Sequence, residues 1–121
     1  MFASLYFDLP GEVDLSSAAA TVFHALGIVE FEERESSNYV DDQYFAARSE
    51  GVGYEISLSD DENAGDLRFW LTLEIEEIDG TAEARINALE DSVVGKLGQV
   101  GARVARVQDF GKKTERVVLC D

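Results

Sequence analysis

The chain has one cysteine, one histidine and one proline, and its first 79 residues contain no lysine. Each shortage removes a class of explanation. Cys120 has no partner for an internal disulfide, and together with His24 it leaves too few nitrogen and sulfur ligands for an ordinary zinc site in a monomer. Pro10 stands alone and no Ser/Gly-rich or repetitive stretch breaks the pattern, so the 121 residues, 45% of them hydrophobic, read as a single domain spanning residues 1–121. No stretch approaches the ~18 apolar residues of a membrane-spanning helix. The start, Met1 to Asp8, lacks the basic opening and apolar run of a secretory signal, so a cytoplasmic location is expected.

The missing lysines carry the most information. Residues 1–79 set nineteen Asp and Glu against three Arg, a net of −16, while residues 80–121 set six acids against seven bases, a net of +1. A field of that sign repels nucleic acid and anionic membrane, which bind through Lys and Arg, and attracts a basic protein or a cation.

Apolar periodicity supplies the elements. Leu5, Phe7 and Leu9 alternate with Ser4, Tyr6 and Asp8 as a half-buried strand ended by Pro10-Gly11. Asp14 is a suitable N-cap for a helix carrying Leu15, Ala18, Ala19, Val22 and Leu26 at steps of three and four, and Gly27 stops it. Val29 and Phe31 alternate with Glu30 and Glu32, predicting a second strand with one dry and one acidic face. Strands follow at Gln43–Ser49, around Tyr54-Ile56-Leu58 and at Phe69–Ile75, with a turn at Asp60–Gly65. After Asp79-Gly80-Thr81 a second helix holds Ile86, Leu89, Val93 and Leu97 on one face, with Glu90 expected on its surface. Val104 and Val107, then Val117-Val118-Leu119 beyond a turn at Gly111-Lys112-Lys113, give two last short strands. The order β-α-β-β-β-β-α-β-β predicts an α+β fold: a largely antiparallel sheet with two helices packed on one face, the other face open and acidic.

Candidate chemistry is sparse. His24 projects away from the apolar stripe of its helix and has no adjacent group to serve as a base's partner, so it reads as a surface histidine. Asp60-Asp61-Glu62-Asn63-Ala64-Gly65 starts like a calcium loop, but Ala64 sits at a ligand position and Leu71 stands where a bidentate Glu would close the cage. Gly95, Gly98 and Gly101 lie at a helix end, the wrong place for a phosphate cradle. No pair among the 25 acids is singled out by an environment that would separate two carboxyl pKa values. The chain is therefore expected to have no catalytic residues, metal or cofactor.

Partner-binding residues are expected where acids meet aromatics. The candidates are Glu30 and Glu32 on the acidic strand, Asp41 and Asp42 flanked by Tyr39 and Tyr44, and Asp60, Asp61 and Glu62 in the following turn. Tyrosine and tryptophan anchor interfaces and acids steer a basic partner onto them. Trp70, on one strand face with Glu74 and Glu76, fits either an anchor or the core.

The segments Glu35-Ser36-Ser37-Asn38-Tyr39, Gln43-Tyr44-Phe45, Gly51-Val52-Gly53-Tyr54-Glu55 and Arg68-Phe69-Trp70-Leu71 together resemble a pattern in small bacterial immunity proteins of polymorphic toxin systems such as contact-dependent growth inhibition. The resemblance covers roughly residues 30–75. It implies a cytoplasmic, non-enzymatic inhibitor whose partner is a cognate toxin domain, and the charge suits a basic one such as a nuclease, whose phosphate-holding cleft is positive. The competing classes are an acidic adaptor or antitoxin-like module, and a small enzyme using carboxylates or a divalent ion.

Overall fold

The computed structural model of the chain describes residues 1–60, 64–77, 80–108, 112–113 and 115–120. Its elements are β1 (Phe2–Asp8), α1 (Leu15–Ala25), β2 (Glu32–Glu35), β3 (Gln43–Ser49), β4 (Val52–Leu58), β5 (Phe69–Ile75), α2 (Ala82–Gln99), β6 (Arg103–Gln108) and β7 (Arg116–Leu119). The seven strands form one sheet in the order β2-β3-β4-β5-β1-β6-β7, with every neighbouring pair antiparallel. This is the expected α+β order.

Local chemistry sets the helix ends. The Asp14 carboxylate accepts the Ser17 backbone N–H at 2.8 Å, which caps α1 and holds the Asp14 carboxyl below its ordinary pKa. Gly27 adopts φ +75° just past α1, and Gly101 adopts φ +82° just past α2, conformations that cost glycine little. α1 buries Leu15, Ala18, Ala19, Val22 and Phe23, and α2 buries Ala82, Ile86, Val93 and Leu97. Both helices cover the same sheet face, where Leu5, Phe7, Ile56, Phe69, Leu71 and Leu73 are sealed from solvent.

Four expectations are corrected. β1 is buried on both faces rather than half-buried, because it lies between β5 and β6 and its outer residues are covered: Ser4 is 2% exposed, and Tyr6 joins Ala64, Leu67 and Ala105 in a second small cluster. The opposite sheet face is therefore apolar and covered at the β6 end. The strand expected at Val29–Phe31 begins only at Glu32, and Val29 is 90% exposed; Phe31 instead leans its ring on Phe23 and Phe45, with centroids 4.9 and 6.3 Å away. Glu90 is not a surface residue, since its side chain is only 14% exposed and faces Arg106 at 3.7 Å. Burial raises its pKa more than Arg106 lowers it.

Sheet order turns the charge asymmetry of the sequence into geography. The near-neutral final third supplies β6 and β7 at one edge, and β2, with sequence Glu-Glu-Arg-Glu, forms the other. Six strand spacings separate these edges, about 29 Å, whereas salt screens exposed charges over about 8 Å at physiological strength. The two edges are electrostatically independent. Between them, Arg68 donates to Asp8 at 2.6 Å and to the carbonyls of Leu9 and Gly11 at 2.9 Å, while Arg103 of β6 reaches Asp8 at 3.3 Å and Asp66 at 2.9 Å. This network stitches the acidic strands to the near-neutral ones, and Arg103 holds the Asp66 carboxyl below its ordinary pKa.

Candidate functional site

Cross-strand register explains a concavity on the sheet face away from the helices. One row across the strands runs Arg48, Gly53, Glu74, Phe2; the next runs Glu32, Ala46, Glu55, Thr72, Ser4. Gly53, Ala46 and Thr72 are short side chains at the middle of these rows, while Glu32, Arg34, Glu74 and Phe2 stand tall around them. The result is a groove of about 470 Å³ whose rim also includes Glu30 and Phe31. The Arg48 guanidinium packs close to Gly53, where an added Cβ would come within 3.2 Å of it. The groove is amphipathic and mixed in charge, not uniformly acidic as expected for this face.

The third row is Arg34, Tyr44, Ser57, Trp70, Tyr6, Ala105 and Leu119. Over its middle folds the segment between β2 and β3. The neck of that loop is closed by the Ser36 N–H donating to the Asp42 carbonyl at 3.0 Å, and its tip contains the short 3-10 turn Val40–Asp42. Asp41 and Asp42 both take left-handed backbone, at φ 56° and 57°, a region that Asp tolerates better than most residues. Their carboxylates are exposed and form no ion pair among the described residues.

Tyr39 holds this loop down. Its ring stacks on Tyr44 with centroids 4.3 Å apart and stands 6.4 Å from that of Trp70, and its hydroxyl donates to the Glu55 carboxylate. Burial first, then the Glu55 bond, pushes the Tyr39 phenol well above its ordinary pKa. Trp70 is half-buried: its indole N–H donates to Ser4 Oγ and its ring stacks on Tyr6, with centroids 6.3 Å apart. Trp70 thus packs partly into the core, with Tyr6 on one side of it and a small cleft, bordered by Asn38, Tyr39 and Asp60, on another.

The candidate residues separate into two groups. Glu30 and Glu32 border the groove at the β2 edge, and Glu32 also binds Arg34. Tyr39, Asp41, Asp42, Tyr44 and the exposed Asp60 gather around the loop. Asp61 and Glu62, along with Asp79 and Gly111 of the expected turns, lie outside the described residues. Sequence reading missed Phe2, which is 57% exposed and stands beside Glu74. The alternation of β1 held the signal, since Phe2 falls in phase with Ser4 and Tyr6 rather than with Leu5 and Phe7. Among the described residues, no three His, Cys, Asp or Glu side chains converge as a metal site, and no helix is long and apolar enough to cross a membrane. No family model, curated protein or solved structure matches this chain.

Proposed function

We propose that this chain is an immunity protein that binds and neutralises a basic toxin domain, a nuclease in the first instance, in the cytoplasm of the cell it protects, and that it performs no chemistry of its own. The carrying observation is the concentration of exposed carboxylates at the acidic end of the sheet, with Glu30 and all of β2 open to solvent at the edge and Asp41 and Asp42 open on the neighbouring loop. Of the three Arg in residues 1–79, Arg68 is committed to Asp8 and Arg34 offsets Glu32, which leaves Glu30, Glu33, Glu35, Asp41 and Asp42 without an ion pair among the described residues. A cationic cleft that holds phosphate is complementary to this edge, and the field accelerates encounter. Val29 and Phe31 are exposed beside these acids, and Phe2 borders the far side of the same groove; together they supply the apolar area that a lasting complex requires.

Co-expression tests the reading. Where the reading frame upstream encodes a large secreted protein with a variable C-terminal domain, that domain is the toxin to use, and the chain is expected to restore growth of cells expressing it. Loss of protection at full expression of soluble chain would refute inhibition. Phe2→Ala is expected to raise the off-rate of the complex about tenfold, the scale of a modest interface anchor. Turnover of a substrate by the isolated chain would favour the enzyme reading instead.

A further inference from the structure

The second sheet edge points to a partner of different chemistry. Among the described residues β7 pairs only with β6, and its sequence, Arg-Val-Val-Leu, carries none of the carboxylates that guard β2. Val118 is 37% and Leu119 68% exposed. An exposed apolar edge strand is a template for another strand, and proteins that do not use one usually block it with charge, proline or a bulge. We propose that β7 is a self-association edge, where two copies of this chain pair β7 to β7 antiparallel about a two-fold axis.

Register restricts the geometry. The Cys120 N–H donates to the Val104 carbonyl at 2.8 Å, and the β6–β7 register pairs Val118 with Arg106. By antiparallel alternation, the backbone polar groups of Arg116 and Val118 turn inward to β6, while those of Val117 and Leu119 turn outward. The outward set pairs with itself when Val118 meets the second copy's Val118 at the axis and Val117 meets Leu119 on either side. On the face away from the helices, each Leu119 then extends the cluster that Val117 already joins beside Tyr6 and Ala105.

Charge selects a second copy over a foreign basic protein. The final 42 residues net +1, so nothing at this edge draws a cation strongly, whereas two acidic edges meeting elsewhere would repel. In the dimer each β2 edge lies about 29 Å from the seam, beyond the ~8 Å screening length. A four-residue strand buries less than the ~1,200 Å² of a standard stable interface, so the dimer is weak and concentration-dependent. It also leaves the β2 edge free, and it stands or falls independently of the function proposed above.

The test uses the full chain alone. Sedimentation velocity between about 10 and 500 µM in 0.15 M NaCl is expected to show a reversible monomer–dimer equilibrium that changes little with added salt. Val118→Glu, which sets like charges opposite one another, is expected to give monomer with unchanged circular dichroism. For register, single cysteines are placed in a Cys120→Ser background. Val118→Cys is expected to crosslink under mild oxidation, because the axial pair puts Cα atoms about 4.5 Å apart, while Leu119→Cys, about 8–9 Å from its counterpart, is not. Monomer at 500 µM, or a dimer untouched by Val118→Glu, would overturn the proposal. Faster crosslinking at 119 than at 118 would overturn the register.

Discussion

β2 and β7 are both four-residue edge strands of the same sheet, yet they present opposite surfaces: Glu-Glu-Arg-Glu at one end and Arg-Val-Val-Leu at the other. The backbone offers equivalent unpaired groups at both, so the side chains decide what can approach. At β2, carboxylates discourage a second acidic copy and favour a cation; at β7, uncharged β-branched residues permit a like strand. One linear asymmetry in the sequence therefore produces two separate faces, and it does so because β6 and β7 are added outside β1 rather than beside β2.

Salt separates them most sharply. Binding of a basic domain at the β2 edge is expected to slow as ionic strength rises, whereas self-association through the near-neutral β7 edge is expected to change little. The largest effect should come from Glu30→Lys with Glu32→Lys, which is expected to lower the association rate with a basic toxin domain about 10–100-fold at low salt in stopped-flow measurements. Val118→Glu should leave that rate nearly unchanged. Equal sensitivity at the two edges would abolish the distinction.

The stitch between the regions is the next target. Asp8 is 14% exposed and receives both Arg68 and Arg103, so Asp8→Ala leaves two guanidinium groups without their shared acceptor. A loss of about 2 kcal/mol is expected in urea unfolding, within the range for a part-buried charged hydrogen bond. At the acidic end, Tyr39→Phe keeps the stack on Tyr44 but removes the bond to Glu55, and is expected to cost about 1 kcal/mol. If Tyr39 serves only to hold the loop, Tyr39→Phe should leave the toxin off-rate nearly unchanged.

The smallest effect lies beneath the near-neutral end. Burial raises the Glu90 pKa above its unfolded value, so the stability tied to its protonation is present at low pH and is lost as pH rises through the raised value. At pH 7 the buried charge is a liability. Glu90→Gln is expected to raise the melting temperature at pH 7, with the gain shrinking as pH falls into the carboxylate range. Arg106 keeps its 2.7 Å bond to Asp91 in that variant.

The sequence was most legible where one period ran uninterrupted. Phe69–Ile75 alternates cleanly because one face meets the helices and the other does not, and α1 follows from Asp14, its apolar steps and Gly27. Reading failed where burial depended on distant neighbours. Ser4 and Tyr6 look like a wet face until Trp70, Ala105 and Leu67 are known to cover them. Val29 and Phe31 alternate with acids as a strand would, but they lie in the connection before β2, where only Phe31 finds aromatic neighbours. The groove was invisible because its floor is made by small residues from three strands, Ala46, Gly53 and Thr72, and no local pattern records which strands lie side by side. Net charge predicted an acidic surface but not its division between edge and loop.

The position of β1 has a consequence for synthesis. Of the seven strands, β1 is made before the others and pairs with β5 and β6, while β2 to β5 run as successive antiparallel neighbours. Those neighbours close short loops and can assemble early; β1 pairs only across long separations. About sixty residues must follow it before β5 arrives and about ninety-five before β6, which at ~5–20 residues per second leaves its two apolar faces uncovered for roughly 5–20 s. During that interval Leu5, Tyr6 and Phe7 form the nascent chain's exposed sticky segment, so a cell short of chaperones should lose this protein to aggregation before it loses one whose first strand lies at an edge.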